Sequence, residues 1–163
     1  MNKIHEYFTG ERNESLIFMA IGAIAILCSI YFWLVINVRF YNGIAWPLFF
    51  IALIQLTVGG LIYLRSPSDE KRVTNFYNSS PKNITHIEIP RMEKVMRNFI
   101  VYRYVEIGLI VISIVLFFMS GAGGFWRGIS IGTLIQASLM LMADGFAEQR
   151  GKVYLAFLNS IGN

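Results

Sequence analysis

One carboxylate, Glu106, lies inside a long apolar segment, with Arg103 one helical turn before it. A segment of this length crosses a bilayer as a helix, because lipid cannot hydrogen-bond free backbone groups. An ionisable side chain in such a helix is costly to bury and commonly marks a site for a proton, an ion or a substrate. Glu106 is therefore the first candidate for chemistry, namely uptake and release of a proton or a cation.

Other polar residues fall at a comparable depth when each apolar segment is counted at about 1.5 Å per residue. We predict an intramembrane polar cluster of Arg103, Glu106 and Asp144, with Gln55 and Gln136 above it. A structural interpretation stays open, in which Arg103 pairs with Glu106 at i, i+3 and the glutamines join helices through hydrogen bonds. Both interpretations require these side chains to face the inside of a helix bundle.

Four apolar segments position these residues, at about 16–36, 44–64, 100–120 and 125–143. Each is near the length of about 20 residues that a transmembrane helix needs. The chain has 163 residues, of which 55% are hydrophobic, and its mean hydropathy is +0.54. The sequence thus predicts an all-α membrane protein with one domain and four transmembrane helices in two antiparallel hairpins.

The remaining segments connect or extend these helices. Turn-forming residues such as Pro67 and Asn83 favour a cytoplasmic loop over 65–90, with room for one short helix. Pro90 is typical of a helix start and predicts a third helix of about 30 residues, longer than its span. The segment 144–163 is predicted to be a cytoplasmic helical tail of the fourth helix, and the arm 2–14 a short amphipathic helix. Similar residues recur in order in the two halves, which suggests a parallel internal repeat.

The distribution of basic residues predicts orientation. The chain has a formal net charge of +4, yet only Arg39 and Arg127 lie at the end of the bundle where the first span leads to the second and the third leads to the fourth. The positive-inside rule then places both termini and the central loop in the cytoplasm, with the helices in a cell (inner) membrane. Basic residues placed in this way attract anionic membrane lipids, so we do not expect a nucleic-acid partner.

The cytoplasmic segments next to the third and fourth spans combine basic and aromatic residues. These residues could contact a protein partner or an anionic lipid headgroup. The candidates are Arg91, Lys94, Arg97, Arg150, Lys152 and Tyr154.

Several chemistries lack the residues they need. Cys28 is the single cysteine, and both histidines, His5 and His86, lie outside the apolar segments. An intrachain disulfide mechanism, a bis-histidine haem and a metal site within the bundle are therefore not expected, and we predict no cofactor. We do not expect an enzyme, because no nucleophile, base and metal converge in the sequence.

Two classes of function stay open. The sequence favours a non-enzymatic binding or assembly module that docks a partner or anionic lipid at its cytoplasmic face. The alternative is a small proton- or cation-coupled transporter that uses Glu106. Small multidrug transporters are similar in layout, with four spans and one intramembrane glutamate. A chain of this size often needs a second copy to enclose a pathway, so a homodimer is also expected.

Overall fold

The computed structural model describes residues 2–79 and 81–162, and every regular element there is helical. The elements are α1 (Asn2–Tyr31), which continues as a π-helical segment (Phe32–Ile36), α2 (Arg39–Ser79), the short α3 (Pro81–Asn83), a π-helical turn (Ile84–Glu88), α4 (Ile89–Met119) and α5 (Phe125–Gly162). Four helices are long and apolar enough to cross a membrane. The all-helical prediction is confirmed.

Short turns separate the helices at one end of the molecule. Asn37 adopts a left-handed conformation with φ of 44°, and its N–H donates to the carbonyl of Phe32 at 2.9 Å. Asparagine tolerates this conformation better than most residues. At the second turn, between α4 and α5, Gly123 has φ of 70°. In each turn, the helix is therefore followed by a residue, Asn37 or Gly123, that can adopt the left-handed backbone conformation.

The structure corrects the prediction of a loop over 65–90. α2 continues to Ser79, and α3 with the π-helical turn leads directly into α4. Pro67 lies inside α2 and removes one backbone hydrogen bond from it. Val73 and Ile84 are fully buried in this region, so tertiary packing offsets the weak helix preference of the local sequence.

The long helices pack in the order α1, α2, α5, α4. α2 and α5 pack together in the middle, α1 packs mainly on α2, and α4 packs on α5. Among the described residues, α4 makes no close backbone approach to α1 or α2. It is therefore an edge helix, and much of its apolar surface is open: Phe118 is 80% exposed.

Glycines bring the helices together in the apolar half of the molecule, residues 16–64 and 100–143. A Cβ atom on Gly43 of α2 would lie 3.0 Å from the Cα of Gly128 on α5, so only glycine fits at this crossing. Gly132, one turn later in a GxxxG pattern, packs against the backbone of Ile44. Small residues at such crossings are typical of helix packing in membranes.

The terminal half, residues 2–15, 65–79, 81–99 and 144–162, has a different interior. A cluster of buried apolar and aromatic side chains joins all the long helices there, and comprises Ile4, Tyr7, Phe8, Val73, Ile84, Met92, Tyr154 and Leu158. Tyr7 and Tyr154 stack with ring centroids 4.0 Å apart. This half thus has the large-side-chain core of a water-soluble bundle.

Candidate functional site

Glu106 lies on the face of α4 that packs against α5, and it is 2% exposed. Among the described residues, neither carboxyl oxygen accepts a hydrogen bond from a basic, amide or alcohol side chain, and the carboxyl of Asp144 lies within hydrogen-bond reach. Its ionisable neighbours are Asp144 on α5, which is half-buried, and Arg103. Glu106 and Asp144 therefore form a pair of neighbouring carboxyl groups between α4 and α5, and we call this pair the carboxyl seam.

Arg103 does not complete the predicted polar cluster with Glu106 and Asp144. Its guanidinium pairs with Glu148 on α5, and the other oxygen of Glu148 accepts from Lys152 at 2.7 Å. Arg103 thus extends away from the apolar segment, toward a side where its charge is better solvated. The structure therefore brings Glu106 and Asp144 together. Arg103 belongs to a separate group of ion pairs with Glu148 and Lys152, which lies one turn further along α5.

Gln55 and Gln136 meet between α2 and α5. The side-chain amide of Gln55 donates to the carbonyl oxygen of Gln136 at 3.2 Å, and both residues are fully buried. Gln136 lies two helical turns from Asp144, about 12 Å along α5, so the glutamine pair is separate from the carboxyl seam. The two glutamines are equivalent positions in the suggested internal repeat, because each ends a Leu-Ile-Gln tripeptide.

The six predicted contact residues divide into two groups. Lys94, Arg97 and Lys152 are exposed. The other three turn inward: Arg91 and Tyr154 contact Glu88, and Arg150 pairs with Glu14. Burial at the interface of four helices explains this difference, because these long side chains cover the apolar cluster with their own stems and rings. Of the six residues, Lys94, Arg97 and Lys152 are therefore the ones available for a docking surface.

A buried glutamate that the sequence did not point to occupies the centre of the terminal half. Glu88 is 0% exposed, and Arg91 binds it with two hydrogen bonds, Nη2 to Oε1 at 2.6 Å and Nε to Oε2 at 3.0 Å. The hydroxyl of Tyr154 donates to Oε1 at 3.3 Å. The i, i+3 spacing of Glu88 and Arg91 was the available signal, but it has meaning only in a helix and we expected a loop.

Burial and the charge of Glu88 both change the pKa values of the groups around this residue, which lies outside the apolar segments. Burial raises the pKa of the Tyr7 hydroxyl to about 12. Burial, with the negative charge of Glu88 adding to it, also raises the pKa of Tyr154. Burial lowers the pKa of Arg91, but the hydrogen bond and charge of Glu88 outweigh it and the net change is upward. Both hydroxyls and the guanidinium therefore stay protonated near neutral pH and keep their donor roles.

Ion pairs extend from Glu88 across the surface of α2 to α1. Their order is Arg91, Glu88, Arg72, Asp69, Arg65 and Glu11, with N–O distances between 2.6 and 3.8 Å. Because the outer members are solvated, their separate contributions to stability are small. As a connected set they fix how α1, α2 and α4 lie against one another in the terminal half.

Two of the clefts at the surface are described by their lining residues, and neither includes Glu106. One, of about 420 Å³, lies beside the turn after α1 and is lined by Trp33, Arg39, Asn42, Trp46 and Phe125. The other, of about 260 Å³, lies between α1 and α2 in the terminal half. Within residues 2–79 and 81–162, no three His, Cys, Asp or Glu side chains are grouped to hold a metal ion.

Comparison of this chain with protein families, with curated proteins and with solved structures finds no match.

Proposed function

We propose that this chain is a small, non-enzymatic membrane protein that takes up and releases a proton or cation at Glu106, as part of coupled transport. Its four spans form two antiparallel hairpins in a cell membrane, with both termini cytoplasmic. The positive-inside rule supports this orientation, because Arg39 and Arg127 are the basic residues at the opposite end of the spans from the termini and the central segment. In this orientation the terminal half of the molecule lies in the cytoplasm.

The observation that carries this proposal is that the buried carboxyl of Glu106 faces a second carboxyl, Asp144, and has no basic or amide donor among the described residues. A bare carboxylate in an apolar surrounding is unfavourable, whereas a bound proton or cation removes the cost of the charge. Asp144 supplies a second carboxyl beside it, so two oxygen-rich groups can share one proton or coordinate one cation. A purely structural glutamate would have acquired a donor such as Arg103, which instead pairs with Glu148.

The arrangement around the seam also supports exchange with water. Asp144 is half-buried and lies one turn from Glu148, whose ion pairs reach solvent-exposed side chains. A proton or cation can thus pass from the cytoplasmic end to Asp144 and then to Glu106. Because α4 is an edge helix that packs on α5 alone in the apolar half, a second copy placed against it would complete an enclosed pathway, as a homodimer.

The test is a flux measurement on purified protein in liposomes. Internal pH and membrane current are recorded under a proton gradient with a panel of cations and small solutes. We expect flux by wild type and its loss in Glu106→Gln, with a reduced rate in Asp144→Asn. Glu93→Gln is the matched control, because it makes the same change on an exposed position of α4. Absence of flux for every solute, with all variants folded, would refute the proposal.

A second candidate function is docking of a partner surface or anionic lipid at the cytoplasmic face. The exposed positions Lys94, Arg97 and Val101 support it, since they lie at i, i+3 and i+7 on one stripe of α4. Replacing Lys94 and Arg97 with glutamine would abolish docking and leave flux unchanged. If Glu106→Gln abolishes the activity of the protein and the double variant of Lys94 and Arg97 does not, docking is not the principal role.

A further inference from the structure

The cleft between α1 and α2 has features of a lipid site, and it is separate from the carboxyl seam. Its volume is about 260 Å³, and Phe8 forms part of its apolar wall. Leu16, the first residue of the apolar segment 16–36, lines the membrane-proximal end and is 45% exposed. His5 and Glu70 line the cleft more than two helical turns further from that segment. The cleft therefore extends from the level of acyl chains through the level of headgroups toward water.

A fixed cation lies at the membrane-proximal part of the cleft. Arg12, one turn before Leu16, donates from Nη2 to the hydroxyl of Tyr63 at 2.7 Å, and its guanidinium carbon lies 4.6 Å from the centroid of that ring. These two contacts hold the guanidinium beside the cleft. Its remaining N–H groups, with the side-chain amide of Asn13 next to it, are suited to a phosphate group.

A carboxylate lies at the distal part of the same cleft. His5 Nδ1 donates to Oε1 of Glu70 at 2.7 Å, which orients the carboxylate and leaves Oε2 for another donor. The formal charges of Arg12 and Glu70 offset each other. A purely anionic headgroup would meet repulsion from Glu70, whereas a headgroup with a phosphate near the glycerol and an ammonium beyond it would match both charges.

We propose that this cleft binds an ethanolamine-type glycerophospholipid. Arg12 and Asn13 bind the phosphate, Glu70 binds the terminal ammonium, and Leu16 contacts the start of an acyl chain. The lipid would thus pin the cytoplasmic ends of α1 and α2 at the membrane surface. The exposed apolar side chain of Leu16 favours a lipid over a free phosphorylated amine, because a small soluble ligand would leave it uncovered.

The experiment counts lipids bound to the purified protein by native mass spectrometry, after incubation with dioleoyl phosphatidylethanolamine or dioleoyl phosphatidylglycerol. Wild type is expected to retain the ethanolamine lipid in preference to the glycerol lipid. Glu70→Gln is expected to lose this preference, by about tenfold in the ratio of the two lipids, since one charge-assisted hydrogen bond is removed. Arg12→Gln is expected to bind both lipids about tenfold more weakly. Lys82→Gln, which removes an exposed cation outside the cleft, is the control and should match wild type.

Three results would overturn the proposal. One is an unchanged preference in Glu70→Gln, and another is an equal loss in Lys82→Gln and Arg12→Gln, which would indicate attraction by general charge. The third is displacement of the lipid by an equal concentration of phosphorylethanolamine, which would indicate a free phosphorylated ligand. Because Arg12→Gln also removes the bond to Tyr63, helix content and melting temperature are compared first. Asn13→Ala serves in its place if Arg12→Gln does not fold, and must then weaken both lipids.

Discussion

The two halves of the molecule differ in the hydrogen-bond partners that they provide for a buried glutamate. Glu88 and Glu106 are 18 residues apart, which is five helical turns, and both face α5. In the terminal half Glu88 accepts hydrogen bonds from Arg91 and Tyr154. In the apolar half Glu106 has no such donor. Burial alone therefore does not distinguish these two carboxylates, whereas their hydrogen-bond partners do.

The largest expected effect comes from removing the charge of Glu88. Glu88→Gln should lower the free energy of unfolding by about 3 to 5 kcal/mol, because Arg91 would be left as an uncompensated buried charge. The same substitution at Glu106 should change it by less than about 1 kcal/mol, since no ion pair is broken. Denaturant unfolding in detergent micelles, followed by circular dichroism, measures both. Equal losses in the two variants would remove the distinction drawn between these glutamates.

The next largest effect is expected at the glycine contact between α2 and α5 in the apolar half. Gly128→Ala should destabilise the protein by about 1 to 3 kcal/mol, because the new methyl group meets the backbone of α2 and the helices must separate. Gly108→Ala is the matched control on α4, where no heavy atom lies within 4 Å of an added Cβ. It should be neutral or slightly stabilising, since alanine is the better helix former. The same unfolding assay compares them, and a loss at Gly108 would indicate an unrecognised contact.

A smaller effect is expected from the glutamine bridge between α2 and α5. Alanine substitutions of Gln55 and Gln136, made singly and together, should give a coupling energy of about 0.6 to 2 kcal/mol. Additive losses in this double-mutant cycle would mean that the bond observed at 3.2 Å contributes nothing beyond packing.

The smallest effect is expected at Glu11, whose carboxyl has fewer partners than that of Glu88 but, unlike that of Glu106, forms an ion pair with an arginine. One oxygen is 3.6 Å from Arg65, and the other has no hydrogen-bond partner in the described part of the chain. Burial raises the pKa of Glu11 above 4.5, although Arg65 opposes the change. The folded state then holds a proton that the unfolded state releases, so stability falls as pH rises from 4.5 through the raised value.

Glu11→Gln removes this dependence. The variant should be more stable than wild type at pH 7, by less than about 1 kcal/mol, because the exposed partner Arg65 contributes little. Melting temperatures measured from pH 4 to pH 8 provide the test. A wild-type curve that rises with pH over this window, relative to the variant, would contradict the direction given.

Much of the helical layout could be predicted from hydrophobicity. The four apolar segments lie within the four long helices, and Pro90 lies at the start of α4, which has 31 residues. The region 65–90 could not be predicted in the same way. Its prolines and asparagines favour turns, and helix formation there depends on burying Val73 and Ile84 against residues that are distant in the sequence.

Pairing of charges was harder to predict than burial. The i, i+3 spacing predicts a pair between Glu106 and Arg103, yet Arg103 binds Glu148, a buried residue further along α5 that also pairs with the exposed Lys152. Arg91 and Tyr154 were expected at the surface because basic and aromatic residues commonly lie there, but both bind the buried Glu88. Which of several nearby partners a long side chain selects depends on helix rotation and register.

The sequence by itself determined that this protein is helical, that four helices are apolar enough to cross a membrane, and that one carboxylate lies within an apolar segment. These properties follow from composition along the chain, because apolar length and backbone hydrogen bonding act locally. Only the tertiary structure decided that Glu106 lacks a donor, that Glu88 has several, and that α4 lies at the edge. Those outcomes depend on which faces of separate helices meet, and the free energy of such contacts is shared by residues far apart in the sequence.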